Sequence, residues 1–500
     1  MAESIVGKTV SDTSHSALIW IANAAVGYIF WLAMGRLLLP ADFGVLSTIL
    51  ALYGLLSLVV TLNSADVAVK FLPMYRQEHS GKVDAFMSLL LVFVGIGSIA
   101  AAAVLWIFAG PLASRFFSDT RMVLGLKCLG ALLLSGSIYA ALRSGLYAEQ
   151  KFSAILRTDL LGAIVRVTAG ITLVLAGLAV GGLVGWFLGF CISLLLALRY
   201  LGWKPNLSLA GLELRKIGGY VVASTAAALL GGVYTQGATI IISHFAGLTQ
   251  AGLMGAAVIF GGLLVIVTAI IYSAALPMLS HLWAQGDVQR FTRLLNNALR
   301  YSLLATVPGL LIMWGFGPWI ISMFYSSSYA QSNALLLPYM VGLIFGTYGG
   351  FHTAVLHLGN RPSWRAAVLG VAAVTNVLLG VWLVPIYGAV GAAVGFAVAS
   401  IVYSAFAYVL VRSIGIRPAL HVRLLIPAAG LGLVVAGAQF LPEPIGLIAS
   451  LTIGLLVYTV LALWSGAVTK GDALVLRNIT IKGFRPVARV ADVIEMWARF

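Results

Sequence analysis

Charged residues are scarce in this chain: Asp, Glu, Lys and Arg make up 9% of 500 residues, while 61% are hydrophobic. A water-soluble fold of this length needs a polar exterior that such a composition cannot supply, since single cores stop growing at roughly 250–300 residues. Cysteine is nearly absent. Cys128 and Cys191 both fall inside apolar runs, which argues against a disulfide framework or thiolate metal centre and leaves two small buried apolar side chains. No H-E-x-x-H, Walker loop or G-x-S-x-G occurs, so enzymatic chemistry and ATP hydrolysis find no support, and no cofactor is expected. Loops longer than roughly 20 residues are missing too, which disfavours a membrane-embedded glycan polymerase or ligase with a catalytic outer loop.

What remains is apolar sequence in helix-length runs. Each run of about 20 residues crosses some 30 Å of hydrocarbon. The runs fall at 17–38, 43–65, 85–110, 122–147, 154–178, 180–200, 217–244, 250–276, 300–321, 333–357, 364–384, 387–411, 422–441 and 444–465. The expected fold is therefore an all-α integral membrane protein with about fourteen transmembrane helices. The run at 17–38 lacks a small-residue cleavage site after Arg36 and reads as a span, not a signal.

The net charge of +15 reflects topology, not nucleic acid. With the N-terminus in the cytoplasm, Lys70, Arg76, Lys82, Lys151, Arg199, Lys204, Arg215, Lys216, Arg290, Arg293, Arg300, Arg361, Arg365, Arg412, Arg417 and Arg423 fall on the inner side, against Arg36, Arg115 and Arg121 outside. That positive-inside bias puts both termini in the cytoplasm. Asn206-Leu207-Ser208 and Asn478-Ile479-Thr480 fit a glycosylation pattern but lie on the same inner side.

An internal repeat organises the chain. Gly35 to Ser47 (Gly-Arg-Leu-Leu-Leu-Pro-Ala-Asp-Phe-Gly-Val-Leu-Ser) is echoed by Ser243 to Gly255, about 208 residues on. Leu72-Pro73-Met74 returns as Leu276-Pro277-Met278, and Gly182-Leu183-Val184-Gly185 as Gly388-Ala389-Val390-Gly391. Two six-helix lobes follow, related by a pseudo-twofold along the membrane normal: residues 1–205 and 206–415, then helices 13 and 14 (416–466) and a cytoplasmic amphipathic tail (467–500). Secondary transporters bind substrate between such repeats.

Ionisable residues within spans are functional candidates, because lipid tolerates them only beside a cavity or partner. Lys127 and Arg143 lie on the fourth span, Asp159 and Arg166 on the fifth, Asp66 near the end of the second, and His352 on the tenth. Asp159 and Arg166 are two turns apart on one face. Asp66 and Lys127 are also placed to snorkel to headgroups, Asp159 to pair with Arg157, and His352 to pack as an ordinary hydrogen-bonded side chain. The excess of deep cations suits phosphate oxygens and points to an anionic cargo.

The stretch Gly35 to Gly44 resembles the end of helix one in the polysaccharide transport family, part of the superfamily that also holds multidrug-extruding MATE pumps and the lipid II flippase. Leu358-Gly359-Asn360-Arg361-Pro362, Asn376, and Val384-Pro385-Ile386-Tyr387-Gly388 through Ala393 resemble that family's tenth-to-twelfth-helix signature. The resemblance implies alternating access and export of a polyprenyl-diphosphate-linked oligosaccharide across a bacterial cytoplasmic (inner) membrane. Membrane lipid and polysaccharide polymerase machinery are the implied partners, and the last two helices a groove for the lipid tail. A MATE-type cation antiporter and a lipid II flippase are the alternatives. Arg36, Lys127, Arg143, Arg166 and His352 are the expected substrate contacts, with Asp42, Asp66 and Asp159 in coupling or gating. Many relatives carry an acidic residue in the seventh span, where this chain reads Tyr234-Thr235-Gln236-Gly237-Ala238-Thr239, so coupling to H+ or Na+ is left open.

Overall fold

A computed structural model describes residues 25–78, 80–208, 212–359, 361–469, 472 and 495, and among these every regular element is helical. The helices are α1 (Ala25–Leu37), α2 (Pro40–Val60), α3 (Ser64–Glu78), α4 (Ser80–Pro111), α5 (Arg121–Ala148), α6 (Phe152–Leu175), α7 (Gly181–Leu201), α8 (Leu214–Phe245), α9 (Gly247–Ala284), α10 (Val288–Phe324), α11 (Asn333–Leu358), α12 (Pro362–Tyr387), α13 (Ala389–Ser413), α14 (Leu425–Ala438), α15 (Glu443–Ala449) and α16 (Leu455–Trp464). Twelve helical stretches are long and apolar enough to cross a membrane, and two shorter apolar helices, Ala25–Leu37 and Val422–Ala438, accompany them. They correspond to the fourteen apolar runs. The amphipathic tail expected at 467–500 lies almost wholly outside the described residues, as does the first part of the run at 17–38.

Two expected inner loops are helical instead. Between α2 and α3 the chain turns through Leu62 and Asn63, at φ 54 and 50. Asn63 Nδ2 then donates to Asp66 Oδ2 at 3.0 Å as the helix restarts. Between α9 and α10 only Gln285 to Asp287 intervene. Gly286 (φ 71) ends α9, and Asp287 caps α10 by accepting the Arg290 amide at 2.9 Å. The first turns of α10 bury Phe291, Leu295, Ala298 and Leu299 while Arg290 and Arg293 face out. Hydropathy ends at the first charge, whereas an amphipathic helix continues past it.

Packing divides the chain into two units. The first comprises Met1–Ile259, Phe324–Gln331 and Ala366–Val402; the second comprises Phe260–Met323, Ser332–Arg365 and Tyr403–Phe500. In the first, α6 and α7 meet along glycines. A Cβ on Gly185 would sit 2.5 Å from the Arg166 carbonyl and 2.7 Å from Gly170 Cα, and one on Gly189 would sit 2.6 Å from the Gly162 carbonyl. Small residues allow this approach, which supplies the dispersion contact that replaces hydrophobic drive in lipid.

The repeated motifs also meet within the first unit. A Cβ on Gly44 would lie 1.8 Å from the Leu248 carbonyl, and one on Gly252 would lie 1.8 Å from the Pro40 carbonyl. Gly44 and Gly252 occupy the same place in the two copies of the repeat, as do Pro40 and Leu248, so the contact is reciprocal, as a local twofold requires.

In the second unit α14 and α16 pack on α10 through Ile312, Phe316, Leu431, Val435 and Tyr458. Beyond α16, Asp472 accepts from Arg300 and Tyr301 on α10, and its other oxygen accepts the Thr469 amide at 2.7 Å.

Gly185→Ala should lower the melting midpoint in detergent, by overpacking worth about 1–3 kcal/mol. Gly95→Ala, where nothing lies within 4 Å, should leave it unchanged. Equal melting of the two variants would contradict the α6–α7 contact.

Candidate functional site

The densest intramembrane polar cluster sits in the first packing unit, on α5, α6 and α7. Tyr139 and Arg143 are one turn apart on α5 and therefore share a face. Opposite them on α6 is Asp159. Arg143 Nε donates to Asp159 Oδ1 at 3.2 Å and Oδ2 at 3.1 Å, and Nη2 donates to Oδ2 at 3.0 Å. Tyr139 donates its hydroxyl to Oδ1 as well and lies 3.2 Å from Thr158 Oγ1. The carboxylate is nearly enclosed at 11% exposure, whereas 41% of the Arg143 side chain stays open.

Arg166, two turns further along α6, has no such partner. Its guanidinium lies over the Trp186 ring on α7, 4.2 Å from the centroid. Both Arg166 Nε and Trp186 Nε1 are buried without an acceptor. Glycine at 189 admits this arrangement, because a Cβ there would lie 3.0 Å from Arg166 Cβ. An aromatic series runs on from Trp186 to Phe190 at 5.6 Å, and from Phe190 to Tyr53 at 5.5 Å and Tyr139 at 6.2 Å. The site thus holds a bonded Arg–Asp pair and a second guanidinium, stacked on an indole and without a carboxylate bonded to it, joined by ring faces. Such a site can take up an anion through the free donors and rest an apolar or sugar face on the rings.

The other expected residues lie elsewhere. Lys127 is 16 residues before Arg143 on the same helix, about 24 Å away. It lines a cavity of about 290 Å³ with Asp42 and Arg121. Arg121 is a residue that sequence reading counted only as an outer-loop charge. Its Nη2 is 2.6 Å from Asp119 Oδ2, and this pairing holds the Asp119 carboxyl below its usual range. Arg36 donates to the Tyr325 carbonyl, beside Tyr325 Oη on the Trp31 carbonyl at 3.1 Å, which ties the end of α1 in place. Asp66 takes part in the α2–α3 turn. His352 is buried in the second unit between Tyr348 (6.0 Å) and Tyr408 (5.8 Å), with neither ring nitrogen bonded. His244 binds the Phe116 carbonyl through Nδ1 at 2.6 Å.

Two features escaped sequence reading. Trp186 and Tyr139 looked like ordinary aromatic residues of apolar spans. In the Tyr234 to Thr239 stretch of the seventh span there is a neutral network: Asn376 Nδ2 donates to the Tyr234 carbonyl at 2.8 Å, and Tyr234 Oη lies 2.7 Å from Ser400 Oγ. Among the described residues no group of three or more His, Cys, Asp and Glu side chains is placed to hold a metal.

The family model described as polysaccharide biosynthesis protein matches residues 33–334. An uncharacterised membrane protein of Methanocaldococcus jannaschii is 22% identical over 421 residues, covering 77% of this chain and 80% of that protein. Among solved structures, the lipid II flippase MurJ in an inward closed conformation aligns with a TM-score of 0.70 at 15% identity, over 91% of this chain and 98% of its own. An inward-facing multidrug resistance MATE family transporter of the MOP superfamily aligns with a TM-score of 0.63 at 13% identity, over 80% and 98%. At these identities the structural likeness establishes the fold.

The pairing of Arg143 with Asp159 is testable by a double-mutant cycle read as melting midpoints. Arg143→Met should cost about 1–3 kcal/mol, because it strands a nearly enclosed carboxylate. Arg143→Met with Asp159→Asn should recover part of that loss. Additive losses would mean the two side chains do not interact.

A second test concerns His421, just ahead of α14. Burial, reinforced by Arg300, pushes its imidazole down to about 4. The unfolded chain therefore takes up a proton near pH 6.5 that the folded chain refuses, so stability should fall as pH drops from about 6.5 toward 4. His421→Gln should flatten this slope; an unchanged slope would exclude His421 as its source.

Proposed function

The chain belongs to the polysaccharide biosynthesis protein family, and from that membership we propose that it flips a polyprenyl-diphosphate-linked oligosaccharide from the inner to the outer leaflet of a cytoplasmic membrane. The observation that carries this reading is the Arg166–Trp186 stack, with two buried N–H donors and no acceptor beside the Arg143–Asp159 pair. A buried donor without a partner costs about 1–3 kcal/mol. A transport protein recovers that cost whenever cargo oxygens occupy the site. Diphosphate supplies acceptors to the donors, and sugar rings supply C–H faces to Trp186, Phe190 and Tyr53.

In this reading the two six-helix lobes, 1–205 and 206–415, rock around the cargo, with both termini in the cytoplasm. An interior-negative potential assists outward movement of an anion by about 2.3 kcal/mol per charge per 100 mV. Of the cations expected to contact cargo, Arg166 combines a guanidinium stacked on a ring with a buried donor that has no acceptor, so it dominates recognition. Arg143 contributes the open edge of its guanidinium.

The test is translocation of a fluorescent polyprenyl-diphosphate oligosaccharide by purified protein in vesicles. Arg166→Gln should slow translocation about 10–100-fold, the loss of one charge-assisted hydrogen bond of roughly 1.5–3 kcal/mol, and Arg166→Lys should restore part of it. Full translocation by a folded Arg166→Gln variant would reject this site, and failure of the unaltered protein to move the lipid would reject the cargo.

A further inference from the structure

We propose that the cavity where α2 and α5 begin binds the head group of a zwitterionic phospholipid of the ethanolamine type. The proposal requires that the chain span a membrane and does not depend on the cargo. The cavity encloses about 290 Å³, at the lower edge of small-molecule sites and too small for an oligosaccharide. Its polar lining is Asp42, Thr120, Arg121 and Lys127. Arg121 is engaged mainly by Asp119 and meets Asp42 at a long 3.5 Å. Lys127 is exposed on α5 and faces the same cavity. One wall therefore offers an ammonium and an underpaired carboxylate together. A phosphate on Lys127 and Arg121 with a primary ammonium on Asp42 satisfies both, whereas a simple anion leaves Asp42 facing like charge.

The remaining wall is apolar, and Leu124 and Leu178 on it are 48% and 37% exposed. Lys127 lies about 9 Å along α5 from Arg121, so the two cations face one cavity from successive turns of the helix. An apolar rim beside a charged floor fits an amphiphile better than a soluble ion.

The second copy of the repeat argues that this cavity is not a packing accident. The repeat equivalent of Asp42 is Gln250, and its Oε1 accepts the Ala389 amide at 3.4 Å, closing the corner against the α12–α13 turn. In the first copy the corresponding α6–α7 turn, Leu178 to Val180, lines the open cavity instead. The helix corresponding to α5 opens Asn333-Ala334-Leu335-Leu336-Leu337-Pro338, without a charge. The same fold thus plugs this corner with a neutral side chain in one half, and opens and charges it in the other.

Native mass spectrometry of delipidated full-length protein in detergent tests the proposal, using phosphatidylethanolamine, phosphatidylglycerol, phosphatidylcholine and free phosphoethanolamine as probes. Phosphatidylethanolamine should bind about tenfold tighter than the other two lipids, a difference of about 1.4 kcal/mol. Lys127→Gln should abolish that binding, and Asp42→Asn should equalise phosphatidylethanolamine and phosphatidylglycerol. Melting midpoints of both near-isosteric variants check that each is folded. Equal binding of all three lipids, or variants that bind as the unaltered protein does, would overturn the site. Free phosphoethanolamine binding as tightly as the lipid would overturn the lipid as its occupant.

Discussion

A backbone amide inside hydrocarbon has no solvent to bond, and that constraint governs this protein more than any single contact. Helix is the answer at every described apolar stretch. Several hydroxyl side chains follow the same rule: Ser98, Thr168, Thr172, Ser302, Thr306 and Ser400 donate to the carbonyl four residues back on their own helices. Arg143 and Asp159 satisfy it across two helices. Arg166 and Trp186 depart from it together, in contact with each other across two helices, which is why the proposed function centres on them.

Glycine does the complementary work. Helices in lipid gain little from excluding water, so close approach must come from small residues. Gly162, Gly170, Gly185 and Gly189 bring α6 against α7, and that approach lays the Arg166 stem over α7 and its guanidinium on Trp186. The reciprocal Gly44–Gly252 contact holds the two repeat motifs backbone to backbone. Site and symmetry therefore rest on the same device.

Much of this was legible in residue order alone. Apolar run length anticipated the spans, because bilayer thickness dictates it, and the cost of charge in lipid singled out Arg143, Asp159 and Arg166 before any geometry. Their pairing was not legible: spacing puts Asp159 and Arg166 on one face of α6 but says nothing of α5, which supplies the actual partner. Trp186 was hidden for a different reason, since an indole in an apolar span looks the same whether it meets lipid or a guanidinium. The extents of α3 and α10 were missed because hydropathy stops at Asp66 and before Arg300, while helical hydrogen bonding does not.

The two halves of the repeat use one scaffold for different ends. The described ionisable groups that gather into sites of the first packing unit belong to the first copy: Asp42, Arg121 and Lys127 at one end of α5, and Arg143, Asp159 and Arg166 toward the other. Two polar clusters that the second copy contributes to that unit are neutral and bonded to the chain: Gln250 to Ala389, and Tyr234 to Asn376 and Ser400. A neutral network is fully satisfied by its own neighbours and has little to gain from a ligand, whereas a charge in a low-dielectric setting keeps a standing demand for a counter-charge. Under the proposed function, the charged clusters of the first copy supply the pull on an anion, and an asymmetric cargo with a single phosphorylated end is the kind of molecule such an uneven arrangement is suited to orient.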